Sequence, residues 1–178
     1  MHFKNLRFVL PMILLLGACQ SAMDKQLEPL KPFLSSIKDT IKAERLPDTL
    51  AIHLVQFAKN YPQHNISENS LYAATLIAER NSRFFECAKW CEMYIAHYPK
   101  GKYLFGATVA AAHNYEKVGG YEKAIEYYEK AAKQQPGSPL GKQCAQTVVM
   151  LKKGLVTPEQ QLEFILNQNK DTADQNPQ

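Results

Sequence analysis

Residues 112–136 read Ala112-His113-Asn114-Tyr115-Glu116-Lys117-Val118-Gly119-Gly120-Tyr121-Glu122-Lys123-Ala124-Ile125-Glu126-Tyr127-Tyr128-Glu129-Lys130-Ala131-Ala132-Lys133-Gln134-Gln135-Pro136. Apolar or small residues recur at spacings of three, four and seven on both sides of Gly119-Gly120, the period of two helices joined by a tight turn. Working outward, the closing proline recurs at Pro62, Pro99 and Pro136, and Tyr61-Pro62 and Tyr98-Pro99 share the preceding tyrosine. Counting back from these prolines exposes columns: Phe57, Tyr94 and Ala131; Leu54, Cys91 and Tyr128; Leu50, Cys87 and Ala124; Ile41, Ala78 and Tyr115; Ile37, Ala74 and Ala111. Every column is apolar or small, so the chain repeats one unit of two helices.

The expected helices pair 30–45 with 48–60, 68–80 with 83–97, 102–118 with 121–134, and 139–153 with 158–168. Pro47 stands at a helix start, and Thr157 and Pro158 read as an N-cap and a first helical residue. Gly119-Gly120 and Gly154 supply permissive backbone at turns. Such hairpins cannot bury their apolar faces alone, so neighbours stack into a solenoid. Alanines at 73, 74, 110, 111 and 112 allow that close approach, and the polar fourth unit suits an exposed end. The expected fold class is all-α: a short solenoid of about three repeats plus a degenerate fourth, spanning residues 30–168. Residues 19–29 read as a tether and 169–178 as a disordered tail, which lacks a large apolar side chain.

The pattern small residue, Tyr115, Ala124, Tyr128, Ala131, Pro136 resembles the tetratricopeptide repeat. Thr108 stands where that family usually has a large residue, and the three residues beyond the usual 34 are expected to lengthen the link between units. The 37-residue spacing ending in Tyr-Pro is similar to the repeats of outer-membrane barrel-assembly lipoproteins and of Tol-Pal accessory proteins. The resemblance implies a groove lined by the first helix of each unit, which binds extended or helical segments of partner proteins. Its positions fall here on Asn69, Tyr72, Leu76, Glu79 and Arg80, on Val109, His113, Glu116 and Lys117, and on Gln146 and Met150. The bland alternative is that these are ordinary solvated residues.

The N-terminus points to a compartment. Lys4 and Arg7 precede the apolar run Phe8–Leu16 and the small residues Gly17-Ala18, the parts of a secretory signal. Nine helical residues span only ~14 Å, under half of a ~30 Å hydrocarbon core. Leu16-Gly17-Ala18-Cys19 resembles the lipobox of bacterial lipoproteins, which implies removal of residues 1–18 and lipidation of Cys19. In that family Gln20 favours the outer membrane, facing the periplasm. Without the leader, nineteen basic residues face seventeen acidic ones, a net +2. That excess is too small to argue for nucleic acid, which needs a concentrated basic face.

Chemistry-bearing residues are sparse. Cys87, Cys91 and Cys144 read as small buried hydrophobes; a bridge from Cys144 or a metal site adding His97 or His113 are the sharper alternatives. His53, His64, His97 and His113 form no His-Glu-x-x-His pair, and there is no nucleophile elbow or phosphate loop. Glu122, Glu126 and Glu129 lie beside Lys123 and Lys130, as helix-surface pairs do. No cofactor, metal or catalytic residue is expected. Phe84 and Tyr94 read as core, and Trp90, next to a core column, is either core or an interface anchor. The functional expectation is a lipid-anchored periplasmic scaffold that binds envelope proteins in outer-membrane biogenesis. Alternatives are a Tol-Pal or peptidoglycan-linked adaptor, a pilotin-like lipoprotein for a secretin or pilus system, an enzyme, or a structural spacer.

Overall fold

The computed structural model describes residues 22–31 and 46–174, with side chains to Asn167. The described residues are all helical, with no strand among them. Seven α-helices follow a short 3₁₀ turn at Glu28–Leu30: α1 Asp48–Asn60, α2 Ser67–Arg80, α3 Phe84–His97, α4 Leu104–Lys117, α5 Tyr121–Gln134, α6 Pro139–Lys152 and α7 Pro158–Asp174. The chain divides into two compact units, one ending at Tyr98 and one beginning at Pro99. In the first, α2 packs against both α1 and α3; in the second, α5 packs against both α4 and α6.

Burial follows the repeat columns. Phe57, Tyr94 and Ala131, Leu54, Cys91 and Tyr128, Leu50, Cys87 and Ala124, Ala78 and Tyr115, and Ala74 and Ala111 are all buried. Ile37 and Ile41, with residues 32–45 of the expected helix 30–45, lie outside the described residues, as do the leader and Cys19. Thr108 is fully buried despite its hydroxyl, because that hydroxyl donates to Leu104 O at 2.7 Å and accepts from Gln134 Nε2 at 3.2 Å. A satisfied polar group therefore occupies a core position without the usual desolvation cost.

One turn geometry closes α2, α4 and α6. After α4, Gly119 N–H bonds to Glu116 O at 3.0 Å and Gly120 N–H to Tyr115 O at 2.8 Å. This double bond pattern with a left-handed residue is the Schellman motif, which satisfies the last carbonyls of a helix. After α6, Gly154 and Leu155 bond to Leu151 O and Met150 O at 2.9 and 3.1 Å. After α2, Ser82 and Arg83 bond to Glu79 O and Ala78 O at 3.0 and 2.8 Å. Gly119 and Gly154 have φ of +75°, and Ser82, one repeat before Gly119, is forced to +60° despite its Cβ. The second helices end differently. Tyr61, Tyr98 and Gln135 each precede a proline and share an extended φ near −130° (−131°, −126°, −140°), where the proline ring drives them out of the helical region.

Two boundaries depart from expectation. Within the stretch 19–29, residues 22–27 are helical, Leu27 and Leu30 are buried, and Asn60 Nδ2 donates to Gln26 Oε1 at 3.1 Å. Two leucines three apart thus give this segment a foothold against α1, so it is not a free tether there. At the other end, α7 continues to Asp174, past 168, because no glycine or proline interrupts it before Pro177. Pro47 stands immediately before α1, whose bounds are those expected.

Thr157 caps α7: its hydroxyl accepts from Gln160 N at 3.3 Å while Gln160 Oε1 accepts from Thr157 N at 3.1 Å. Ser138 caps α6 by accepting from Gly141 N at 2.9 Å. At Gly141 an added Cβ would lie 1.9 Å from Gln135 O, so the backbone itself demands glycine.

Two substitutions test these turns. Ser82→Gly relieves the left-handed strain and is expected to raise unfolding stability by about 1 kcal/mol. Gly141→Ala is expected to lower it by at least ~1–3 kcal/mol through overpacking. Urea unfolding followed by circular dichroism reads both.

Candidate functional site

In the first unit, the expected groove positions lie on α2. Asn69, Tyr72, Leu76 and Glu79 are half-buried and Arg80 is exposed. Beneath them runs an aromatic ladder: Tyr72 and Tyr94 lie 5.9 Å apart, and Tyr94 and Tyr98 5.3 Å apart, between ring centroids. Tyr94, fully buried, donates its hydroxyl to Glu68 Oε1 at 2.5 Å, and Tyr98 donates to Pro62 O at 3.1 Å. Burial first, then the nearby Glu68 charge, pushes the Tyr98 phenol above its usual range. The ladder fixes the inner edge of the α2 strip, so Tyr72 is held as a wall rather than projecting freely.

In the second unit, Val109 and Glu116 on α4 are half-buried, while His113 and Lys117 are exposed; Gln146 on α6 is exposed. Met150 is buried, so it belongs to the core and not to a surface strip. Its carbonyl receives Leu155 N–H in the turn that closes α6. Glu116 is a junction: its carboxylate accepts from Tyr128 Oη at 2.7 Å and from Gln161 Nε2 at 3.4 Å, tying α4 to α5 and α7. Burial first, and then the bond to Glu116, raises the Tyr128 phenol far above its ordinary range. Nothing in the composition signalled this junction, because a Tyr and a Glu twelve residues apart meet only once the hairpin closes.

Within each unit the positions form a strip, on α2 in the first and on α4 in the second. Both combine a partly buried aliphatic, a half-buried carboxylate and an exposed cation: Leu76, Glu79 and Arg80 in one, Val109, Glu116 and Lys117 in the other.

Cys87, Cys91 and Cys144 are free and buried. Cys87 Sγ donates to Thr75 O at 3.3 Å, and the hydrogen bond with Cys87 together with burial keeps the Cys91 thiol protonated. Burial likewise raises Cys144. Such thiols are poor nucleophiles and poor metal ligands. Among the described residues no three His, Cys, Asp or Glu side chains are grouped to hold a metal, and no helix is long and apolar enough to cross a membrane. Glu126 is occupied by Lys130 at 2.7 Å and Lys123 at 3.0 Å, and Glu129 by Lys152 at 2.6 Å. Hydrogen bonds from Lys130 and then Lys123 hold the Glu126 carboxyl below its usual range. These are surface pairs worth little each.

Comparison with protein-family models, with curated proteins and with solved structures gives no match.

The Tyr128–Glu116 bond has a pH signature. A phenol whose pKa is raised on folding stabilises the fold fully below the unfolded value, about pH 10, and loses that stability as pH rises beyond it. Tyr128→Phe is expected to cost about 1 kcal/mol at neutral pH and to flatten the alkaline loss in part, since Tyr98 shifts the same way. Urea midpoints from pH 8 to 11 check this.

Proposed function

We propose that this protein is a lipid-anchored periplasmic adaptor, a tetratricopeptide-like scaffold that holds segments of envelope proteins during outer-membrane biogenesis. The carrying observation is the repeated strip: α2 and α4 each present an aliphatic, a carboxylate and a cation above a packed core. A peptide offers backbone hydrogen-bonding groups and alternating side chains, and a surface of that mixture meets both. Support for the compartment comes from Leu16-Gly17-Ala18-Cys19 after an apolar run, with Cys19 as the lipidated residue. Acyl chains contribute ~0.8 kcal/mol per buried methylene, so two or more give a stable attachment. The helical core then needs no membrane-binding surface of its own.

The role of each residue follows from its placement. Tyr72, held by Tyr94, and Val109 offer apolar contact; Asn69 and Gln146 offer amides; Arg80, His113 and Lys117 carry donors that reach outward. Glu79 and Glu116 set the local sign of charge, and Glu116 is already engaged by Tyr128 and Gln161. A Tol-Pal or peptidoglycan-linked adaptor, or a pilotin-like lipoprotein, would use the same surface with a different partner.

Two experiments test this reading. The combined substitution Arg80→Ala, His113→Ala and Lys117→Ala alters exposed side chains, so helix content stays unchanged. Capture of crosslinked envelope proteins from detergent extracts is expected to fall about tenfold or more, as for loss of interface anchors; unchanged capture overturns the groove. Cys19→Ala is expected to abolish fractionation with the outer membrane; a variant that still fractionates there overturns the anchor.

A further inference from the structure

A second recessed site lies in the first unit and shares no residue with the α2 strip. Asp48, Ala51 and Ile52 of α1, Ala78 near the end of α2, Arg83 just before α3, and Glu86 and Trp90 of α3 line a cleft of about 110 Å³. Its floor is apolar and rigid: Ala51 and Ala78 are each 1% exposed. Its walls are Ile52, 55% exposed although aliphatic, and the half-buried Trp90. Its rim is charged. Arg83 donates through Nη1 to Asp48 Oδ2 at 2.9 Å and through Nε to Glu86 Oε1 at 3.1 Å. Asn81 Nδ2 donates to Asp48 Oδ1 at 2.6 Å. Two carboxylates thus surround one guanidinium, a net −1 at the mouth.

Size decides the class of occupant. Pockets for whole metabolites or cofactors run to ~300–1,000 Å³, and a dry cavity of ~150 Å³ takes one benzene ring. This cleft is smaller than either, so it suits one branched aliphatic side chain. The tight backbone turn at Ser82 holds Arg83 in place, so the rim is preorganised rather than assembled on binding. The bond from Arg83 keeps Glu86 ionised, and the net −1 favours a cation beside whatever fills the cleft.

We propose that this cleft docks a partner polypeptide segment that inserts a valine, leucine or isoleucine side chain against Ile52 and Trp90 and carries a lysine or arginine beside it. The site is independent of the α2 and α4 strips and would stand if that reading failed.

Trp90 is the only tryptophan in the chain, so its emission reports the cleft directly. The full chain in detergent is titrated with blocked tetrapeptides: acetyl-Gly-Leu-Lys-Gly-amide, its Leu-Glu counterpart, and its Gly-Lys counterpart. A saturable emission shift is expected with Leu-Lys, a response weaker by about two- to fivefold with Leu-Glu, and none with Gly-Lys. Ile52→Ser is expected to weaken Leu-Lys binding by about tenfold, and Glu86→Gln to remove the preference for lysine. Both side chains are at the surface, and circular dichroism confirms that each variant folds. No saturable shift with Leu-Lys, an equal response to Gly-Lys or Leu-Glu, or undiminished binding by Ile52→Ser overturns the proposal. A shift on diluting the protein alone would assign the cleft to a second copy of this chain and overturn it equally.

Discussion

The fold depends on reversing the chain within two residues at the end of each first helix. A residue in the left-handed region at 82, 119 and 154 lets the next two N–H groups cap the helix, and it launches the following helix back along the same axis. The columns of buried residues then meet: Ala78 and Tyr115 stand where the turn closes, and Cys87 and Ala124 lie on the returning helix. Lengthening any of these turns by one residue would rotate the second helix by about 100°, set by the 3.6-residue period, and point its apolar column at water. Small residues then determine how close the helices come. Ala74, Ala111 and Ala112 are fully buried, as close packing of helices requires.

Much of this was legible because helical burial is periodic and the period repeats. Leu54, Cys91 and Tyr128 differ in size and polarity, yet all are buried, since the column and not the residue type sets the position. Gly119 and Gly154 announced their turns. Ser82 did not: serine gives no sign of a left-handed backbone, and only its place one repeat before Gly119 could have found it. Gly141 was silent for another reason. Its requirement comes from the carbonyl of Gln135, brought near by the Ser138 cap and not by any helical period.

Site residues were less legible than fold residues. A helix position can be assigned to a face from the sequence, but its exposure depends on what the following turn covers. Met150 shows this: it lies one turn from the exposed Gln146, yet it is buried. Glu116 was read as a groove position; the packing of α5 and α7 makes it the acceptor for Tyr128 and Gln161. Trp90 was ambiguous between core and surface. It is half-buried because one face of the indole lines a cleft whose other wall, Ile52, belongs to a helix more than twenty residues away. Contacts of that range leave no periodic trace.

On the proposed reading, the helices nearest the partner are held by buried bonds while exposed side chains meet the partner, a division that lets the surface change without unfolding the core. The most direct test places a photoreactive amino acid at position 113 on α4 or at position 80 on α2, and at Lys59 on α1 and Lys133 on α5 as controls, in living cells. The account predicts adducts to an envelope protein from positions 80 and 113 and none from 59 and 133. Equal adducts from all four positions, or none from 80 and 113, would contradict it.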